Sequence, residues 1–264
     1  MITIEGCTAV VTGAASGIGA AMATMLAAEG ARHVVVVDID AQHAQTVASS
    51  LGDSGVARTC DVSSAEDCTA LLSWVEDTIG PIDLLCSNAG IASGGGVDSP
   101  DEVWDRLWAV NVMGTVHLTR AWLPSVRARG AGHLLVTASA AGLLTNLGDG
   151  PYSATKHAAV GLAEWLSITH AADGLTVQCL CPQGVRTPMV TGGLEAGALG
   201  ASVVEAMGLI EPEAVADAVR AGLATDSFLI LPHPEVADYV RNKAVDPDRW
   251  LGGMRKLQRR LTGG

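Results

Sequence analysis

Between residues 8 and 182, short runs of Val, Leu and Ile alternate with longer segments whose apolar positions recur every three or four residues. The runs TAVVTG (8–13), HVVVVD (33–38), VARTCD (56–61), IDLLCSNAG (82–90), HLLVTAS (133–139) and LTVQCLCP (175–182) read as strands. Helical periodicity covers 17–29, ended by Gly30, then 41–51, stopped by Gly52, and 64–79, terminated by Gly80-Pro81. It returns over a long stretch from Pro100 to about Arg129, which Pro124 should bend, and over about 152–171. Strands this apolar lack period-two alternation, so both faces are expected to be buried. Strands separated by helices imply right-handed crossovers and an α/β fold, a doubly wound parallel sheet flanked by helices on both faces. The pattern is unbroken to about residue 182, so a single domain over 1–264 is expected.

The remainder of the chain changes character. Residues 188–208 are small, apolar and Gly-rich, which suits a mobile lid over a substrate more than a fixed element. A helix at about 212–225 and a strand FLILP (228–232) follow, then a tail over 246–264 whose RKLQRR segment reads as a solvated basic helix end.

Composition narrows the classes. Hydrophobic residues are 48% of the chain, enough for a sizeable core, while aromatics are only 3%, which suits helix-on-sheet packing. A formal net charge of −12 argues against nucleic acid and against an anionic membrane surface as partners. No apolar run approaches the ~18 residues of a membrane span, and the N-terminus lacks the basic region of a signal peptide. The six cysteines lie in or beside apolar runs without a zinc-ligand spacing, so no metal is expected and the cytoplasm is the expected compartment.

Chemistry enters at TGAASGIG (12–19), which ends the first strand and opens the first helix. Gly13, Gly17 and Gly19, spaced G-x-x-x-G-x-G with Ser16 and Ile18 between, would let a pyrophosphate approach the backbone at a helix N-terminus. Asp38 ends the second strand, where a carboxylate grips an adenosine ribose 2′-hydroxyl; its alternative role is a helix N-cap. A carboxylate there repels a 2′-phosphate, so NAD is expected over NADP. Asp61 and Val62 would border the adenine, and Asn88, Ala89 and Gly90 would meet the cofactor from the fourth strand. YSATK (152–156) places a phenol and an ammonium four residues apart, on one helix face. The ammonium favours the phenolate and should lower the Tyr152 pKa from near ~10.

TGAASGIG, SNAG (87–90), Asn111, Ser139, YSATK and PQGVRTP (182–188) occur in an order and spacing that resemble the short-chain dehydrogenase/reductase family, over nearly the whole chain. The resemblance implies a Rossmann-like NAD-binding domain and an oxidoreductase interconverting secondary alcohols and ketones. It implies Tyr152 as general acid and base, with Lys156 tuning it and holding the nicotinamide ribose. It implies Ser139 as hydrogen-bonding partner of the substrate oxygen, and Asn111, within a helix, as holder of a water linked to Lys156. Pro182, Val185 and Thr187 match positions near the carboxamide and phosphates. The family's usual Pro-Gly after the sixth strand is Pro182-Gln183 here.

The expected substrate pocket draws on Ser139, Leu143, Asn146, Gln183, Met189 and Val190, a mostly aliphatic set that favours a small to medium apolar alcohol or ketone. Two other functions compete: reduction of a carrier-bound 3-oxoacyl group, opposed by the charge of −12, and a non-catalytic nicotinamide sensor, opposed by the intact Ser139, Tyr152 and Lys156. Trp104, Trp108 and Trp165 sit on helices that in the family form subunit contacts, so a homodimer or homotetramer is expected; core packing is the plainer role for any one of them.

Overall fold

The computed structural model describes residues 1–262. Seven strands form one sheet: β1 (Thr8–Thr12), β2 (His33–Asp38), β3 (Gly55–Thr59), β4 (Leu84–Ser87), β5 (Gly132–Thr137), β6 (Leu175–Leu180) and β7 (Leu229–Ile230). Their order is β3-β2-β1-β4-β5-β6-β7 and every pairing is parallel. Helices α1 (Gly17–Ala28), α2 (Ala41–Ser50), α3 (Ala65–Thr78), α4 (Asp101–Trp108), α5 (Gly114–Arg129), α6 (Ala141–Leu144) and α7 (Gly150–Thr169) supply the crossovers. Beyond β6 come α8 (Pro188–Glu195), α9 (Leu199–Ala206), α10 (Pro212–Leu223), α11 (Glu235–Val245) and α12 (Pro247–Thr262).

The absence of polar alternation is explained by two cores, one on each face. Successive residues of β1 go to opposite sides: Val10 packs with Val35, Leu85 and Leu134, whereas Ala9 and Val11 pack with Val34, Val36 and Leu135. The strand order reverses between β1 and β4, so their C-terminal ends splay into a crevice, the usual ligand site of such sheets. The doubly wound α/β architecture is as the sequence implies.

Local differences from the sequence reading cluster around that crevice. β4 stops at Ser87, and Asn88–Gly90 leave the sheet rather than extending it. The long helix from Pro100 is divided by a π-helical turn, Ala109–Met113, that carries Asn111, while Pro124 is accommodated inside α5. Residues 188–208, expected as a loop, hold two short helices: Pro188 starts α8, Gly197 at φ +69° turns the chain between them, and Gly200 packs α9 closely against Asn146 and Leu147. The tail is helical, and Gly263 and Gly264, its last two residues, lie outside the described residues. Among the described residues no helix is long and apolar enough to cross a membrane. Trp122 is buried in the core, while Trp108 and Trp165 are exposed on α4 and α7.

Candidate active site

The turn from β1 into α1 forms one wall of the crevice. Gly13 adopts φ +65°, and a Cβ there would lie 2.7 Å from Ala89 Cα, so only glycine permits the contact of this turn with the end of β4. Thr12, which sequence reasoning passed over, ties the two strand ends together. Its hydroxyl donates to Cys86 O at 3.3 Å and accepts from the backbone N–H groups of Asn88 and Ala89 at 3.0 and 3.2 Å. Asn88 Nδ2 returns to the carbonyls of Thr12 and Gly13 at 3.0 and 3.3 Å.

Asp38 does not cap α2; Asp40 does, accepting from His43 N at 3.1 Å. The Asp38 carboxylate instead bridges two turns, accepting from Ala15 N and Asp40 N, each at 3.0 Å. It faces the same cleft as Gly13, Ser16, Gly17, Ile18, Gly19, Asp61, Val62, Asn88, Ala89, Gly90, Pro182, Val185 and Thr187. Every residue expected to hold the cofactor thus lines one continuous cleft. Two of its members bear buried oxygens without a protein partner, Thr137 Oγ1 and Gln183 Oε1. A glycine-walled groove, a carboxylate at the end of β2 and buried oxygens without a protein partner fit a nicotinamide dinucleotide. Arg106, unremarked in the sequence, reaches this cleft and stands 3.8 Å from the Asp61 carboxylate.

Ser139, Tyr152 and Lys156 converge at the inner end. Ser139 follows β5, and α7 presents Tyr152 in its first turn and Lys156 one turn on. Burial of the Tyr152 phenol pushes its pKa up to about 12, offset in part by the Ser139 hydroxyl. This is opposite to the expected lowering. The Lys156 nitrogen stands 5.6 Å from the Tyr152 ring centroid and is itself desolvated, which pushes its own pKa down to about 8. Burial, invisible to a motif, outweighs proximity in the protein alone. Lys156 Nζ donates to Thr137 O at 3.0 Å.

Asn111 does not line the cleft. From the π turn, its Nδ2 donates to Ile91 O at 2.9 Å and to Thr155 Oγ1 at 3.0 Å, while Oδ1 accepts from Ile91 N at 2.8 Å. Both amide protons are used, leaving one Oδ1 lone pair for any further partner. Asn111 therefore clamps the loop after β4 to α7, and the extra residue of the π turn is what aims it inward.

Asp149 is a further residue that sequence reasoning missed, although a side chain able to cap a helix that begins Gly-Pro was a visible signal. Buried at the N-cap of α7, its carboxylate accepts from Tyr152 N at 3.1 Å, Ser93 N at 2.9 Å, Ser93 Oγ at 2.7 Å and Gly94 N at 2.7 Å. One carboxylate thus orients the helix bearing Tyr152 and the loop facing it.

A second cavity, of about 650 Å³, opens from Ser139 and Tyr152 on the far side from the glycine turn. Asn146, Gln183, Met189 and Val190 line it as expected, with Ser139 and Tyr152 at its base. Leu143 does not: one step along α6 rotates the side chain by about 100°, so Leu144 faces the cavity and Leu143 packs into the core. Gln183 also donates Nε2 to Met207 Sδ at 3.0 Å. Among the described residues no His, Cys, Asp and Glu cluster could hold a metal.

Comparison with known proteins agrees with this fold. The family model for short chain dehydrogenases matches residues 7–196. A D-beta-hydroxybutyrate dehydrogenase of Cupriavidus necator is 34% identical over 198 residues, 74% of this chain and 77% of the relative. A 1-deoxy-11-beta-hydroxypentalenate dehydrogenase of Streptomyces exfoliatus is 35% identical over 247 residues, 90% of this chain and 87% of the relative. A short chain dehydrogenase/reductase from Burkholderia phymatum, solved in complex with NAD, superposes with TM-score 0.86 at 30% identity, covering 94% of this chain and 96% of its own.

Proposed function

The chain belongs to the short chain dehydrogenase family, and from that premise we propose that it is an NAD-dependent oxidoreductase interconverting an apolar secondary alcohol and its ketone. The observation that carries the proposal is the placing of Ser139 and Tyr152 at the junction of the dinucleotide-shaped cleft and the apolar cavity, with Lys156 beside them in the cleft.

The nicotinamide supplies the hydride acceptor in oxidation and the hydride donor in reduction. In reduction Tyr152, a neutral phenol at neutral pH, donates its proton to the ketone oxygen. In oxidation it takes the hydroxyl proton as the phenolate, a form that positive charge on Lys156 and on an oxidised cofactor would favour. Ser139 hydrogen-bonds the substrate oxygen and stabilises its developing alkoxide character. Lys156, Asp38 and the glycine turn would hold the dinucleotide, and the Asp38 carboxylate supports NAD over NADP.

The exposed Trp108, Trp165 and Ile168 on α4 and α7 support association of copies through these helices. All six cysteines are buried and free, which suits the reducing cytoplasm. The test is absorbance of the reduced nicotinamide, with NAD and NADP offered separately against a panel of apolar secondary alcohols. Turnover with NAD and poor turnover with NADP is expected; turnover confined to charged hydroxy acids would overturn the substrate class.

A further inference from the structure

The last helix lines the cavity above Tyr152. Trp250, Met254 and Leu257 of α12, at i, i+4 and i+7, form one stripe and line it together with Tyr239 of α11. The basic residues of α12, Arg249, Arg255, Lys256, Arg259 and Arg260, are exposed on its other faces. This helix lies beyond the segment matched by the family model, which ends at residue 196. It is held there through α11, which two independent contacts fasten beside the site. Val236 of α11 is fully buried against Ala140 and Leu144, with Tyr239 and Trp250 packed around them, and Lys243 Nζ donates to Leu143 O at 2.6 Å. The Tyr239 and Trp250 rings stand 6.1 Å apart, joining α11 to α12.

The lining also excludes charge. Among the described residues bordering the cavity, the only ionisable side chain besides the tyrosines is Asp149, whose oxygens are held by four protein donors. A charged substrate group would be desolvated there without a counter-ion. Its 650 Å³ falls within the range that takes a drug-sized ligand, well above the needs of a short-chain alcohol.

We propose that α12 is the outer wall of the substrate site and sets its length, and that the substrate is an uncharged, drug-sized secondary alcohol or ketone whose apolar end lies against Trp250, Met254 and Leu257. This deepens the dehydrogenase reading and rests on it for the position of the reacting carbon. The reacting oxygen lies at Ser139 and Tyr152, and the hydrocarbon runs outward between α9 and α12. Binding follows hydrocarbon length until the chain reaches α12, and then stops improving.

The test uses the full chain with NADH and a ladder of methyl ketones from acetone to methyl decyl ketone, measuring affinity by calorimetry and turnover separately. Met254→Trp shortens the cavity, so it should weaken the longest ketones about tenfold more than the shortest, as expected for lost methylene contacts. Leu257→Ala deepens it and should move the optimum to longer ketones. Unchanged length profiles in both variants, with turnover intact, overturn the wall and leave the dehydrogenase reading standing. Length-dependent binding that Met254→Trp abolishes, without turnover in any protein, keeps the wall and rejects the reading. If Met254→Trp does not fold, the Leu257→Ala profile alone decides.

Discussion

The buried Lys156 ammonium donates to the main-chain carbonyl of Thr137 at 3.0 Å, where β5 ends beneath Tyr152. A lysine held this deep carries a desolvation cost, seen in the fall of its pKa to about 8. The fold therefore keeps at its centre a residue that weakens it, and the cost is evidence of use.

Replacing Lys156 by methionine should remove turnover and raise stability together. Below pH 8 the native state bears the whole penalty, about 3 kcal/mol for a shift from 10.5 to about 8. Losing the Thr137 hydrogen bond returns about 1 kcal/mol, so a net gain of about 2 kcal/mol is expected at neutral pH. Above about pH 10.5 both states are neutral and the gain disappears. Urea unfolding of Lys156→Met at the two pH values checks this; a variant less stable at neutral pH would contradict it.

Asp149 holds four donors on two elements, so Asp149→Ala should cost about 3 kcal/mol and raise the KM for alcohols as the 93–94 loop loosens. Asp149→Asn offers one acceptor oxygen and should recover only part of either loss. Denaturant midpoints and steady-state kinetics on both variants measure the two effects.

Acid should unfold the protein through its buried histidines. Burial lowers the pKa of His133 from 6.5 to about 4 and lowers that of His233 as well. His233 accepts from Gln183 N at 3.1 Å, so its Nδ1 must stay unprotonated and Nε2 donates to Gly184 O. Both histidines bind protons more readily in the unfolded chain, so stability present above pH 6.5 falls as the pH drops toward 4. His133 alone accounts for about 3 kcal/mol of that fall. Stability measured against pH for the protein and for His133→Asn should diverge across this window; parallel curves would refute the assignment.

Asp38→Asn removes the charge that repels a 2′-phosphate while keeping one acceptor for the Ala15 or Asp40 N–H. The ratio of kcat/KM for NAD to that for NADP should fall about tenfold, equivalent to ~1.4 kcal/mol. An unchanged ratio would mean that Asp38 serves only the two turns it bridges.

Periodicity made the architecture legible. HVVVVD could only be a strand buried on both faces, and Gly30, Gly52 and Gly80-Pro81 marked the helix ends. The cleft was legible too, because its residues lie at strand ends whose positions follow from the pattern. What escaped depends on three-dimensional context. Leu143 and Leu144 are equivalent in sequence and differ only in rotation about α6. Trp250, Met254 and Leu257 read as a tail because nothing local shows that α11 folds back over α6. The Tyr152 pKa went the other way because proximity to Lys156 is written in the spacing and burial is not.

The most direct measurement compares the protein with Tyr152→Phe, following NADH binding by fluorescence and alcohol oxidation by NADH formation on the same samples. Binding should persist while turnover falls by about 10²–10⁴, the contribution of a positioned general base. Turnover within a few-fold of the unaltered protein would contradict it and place the proton transfer on another group.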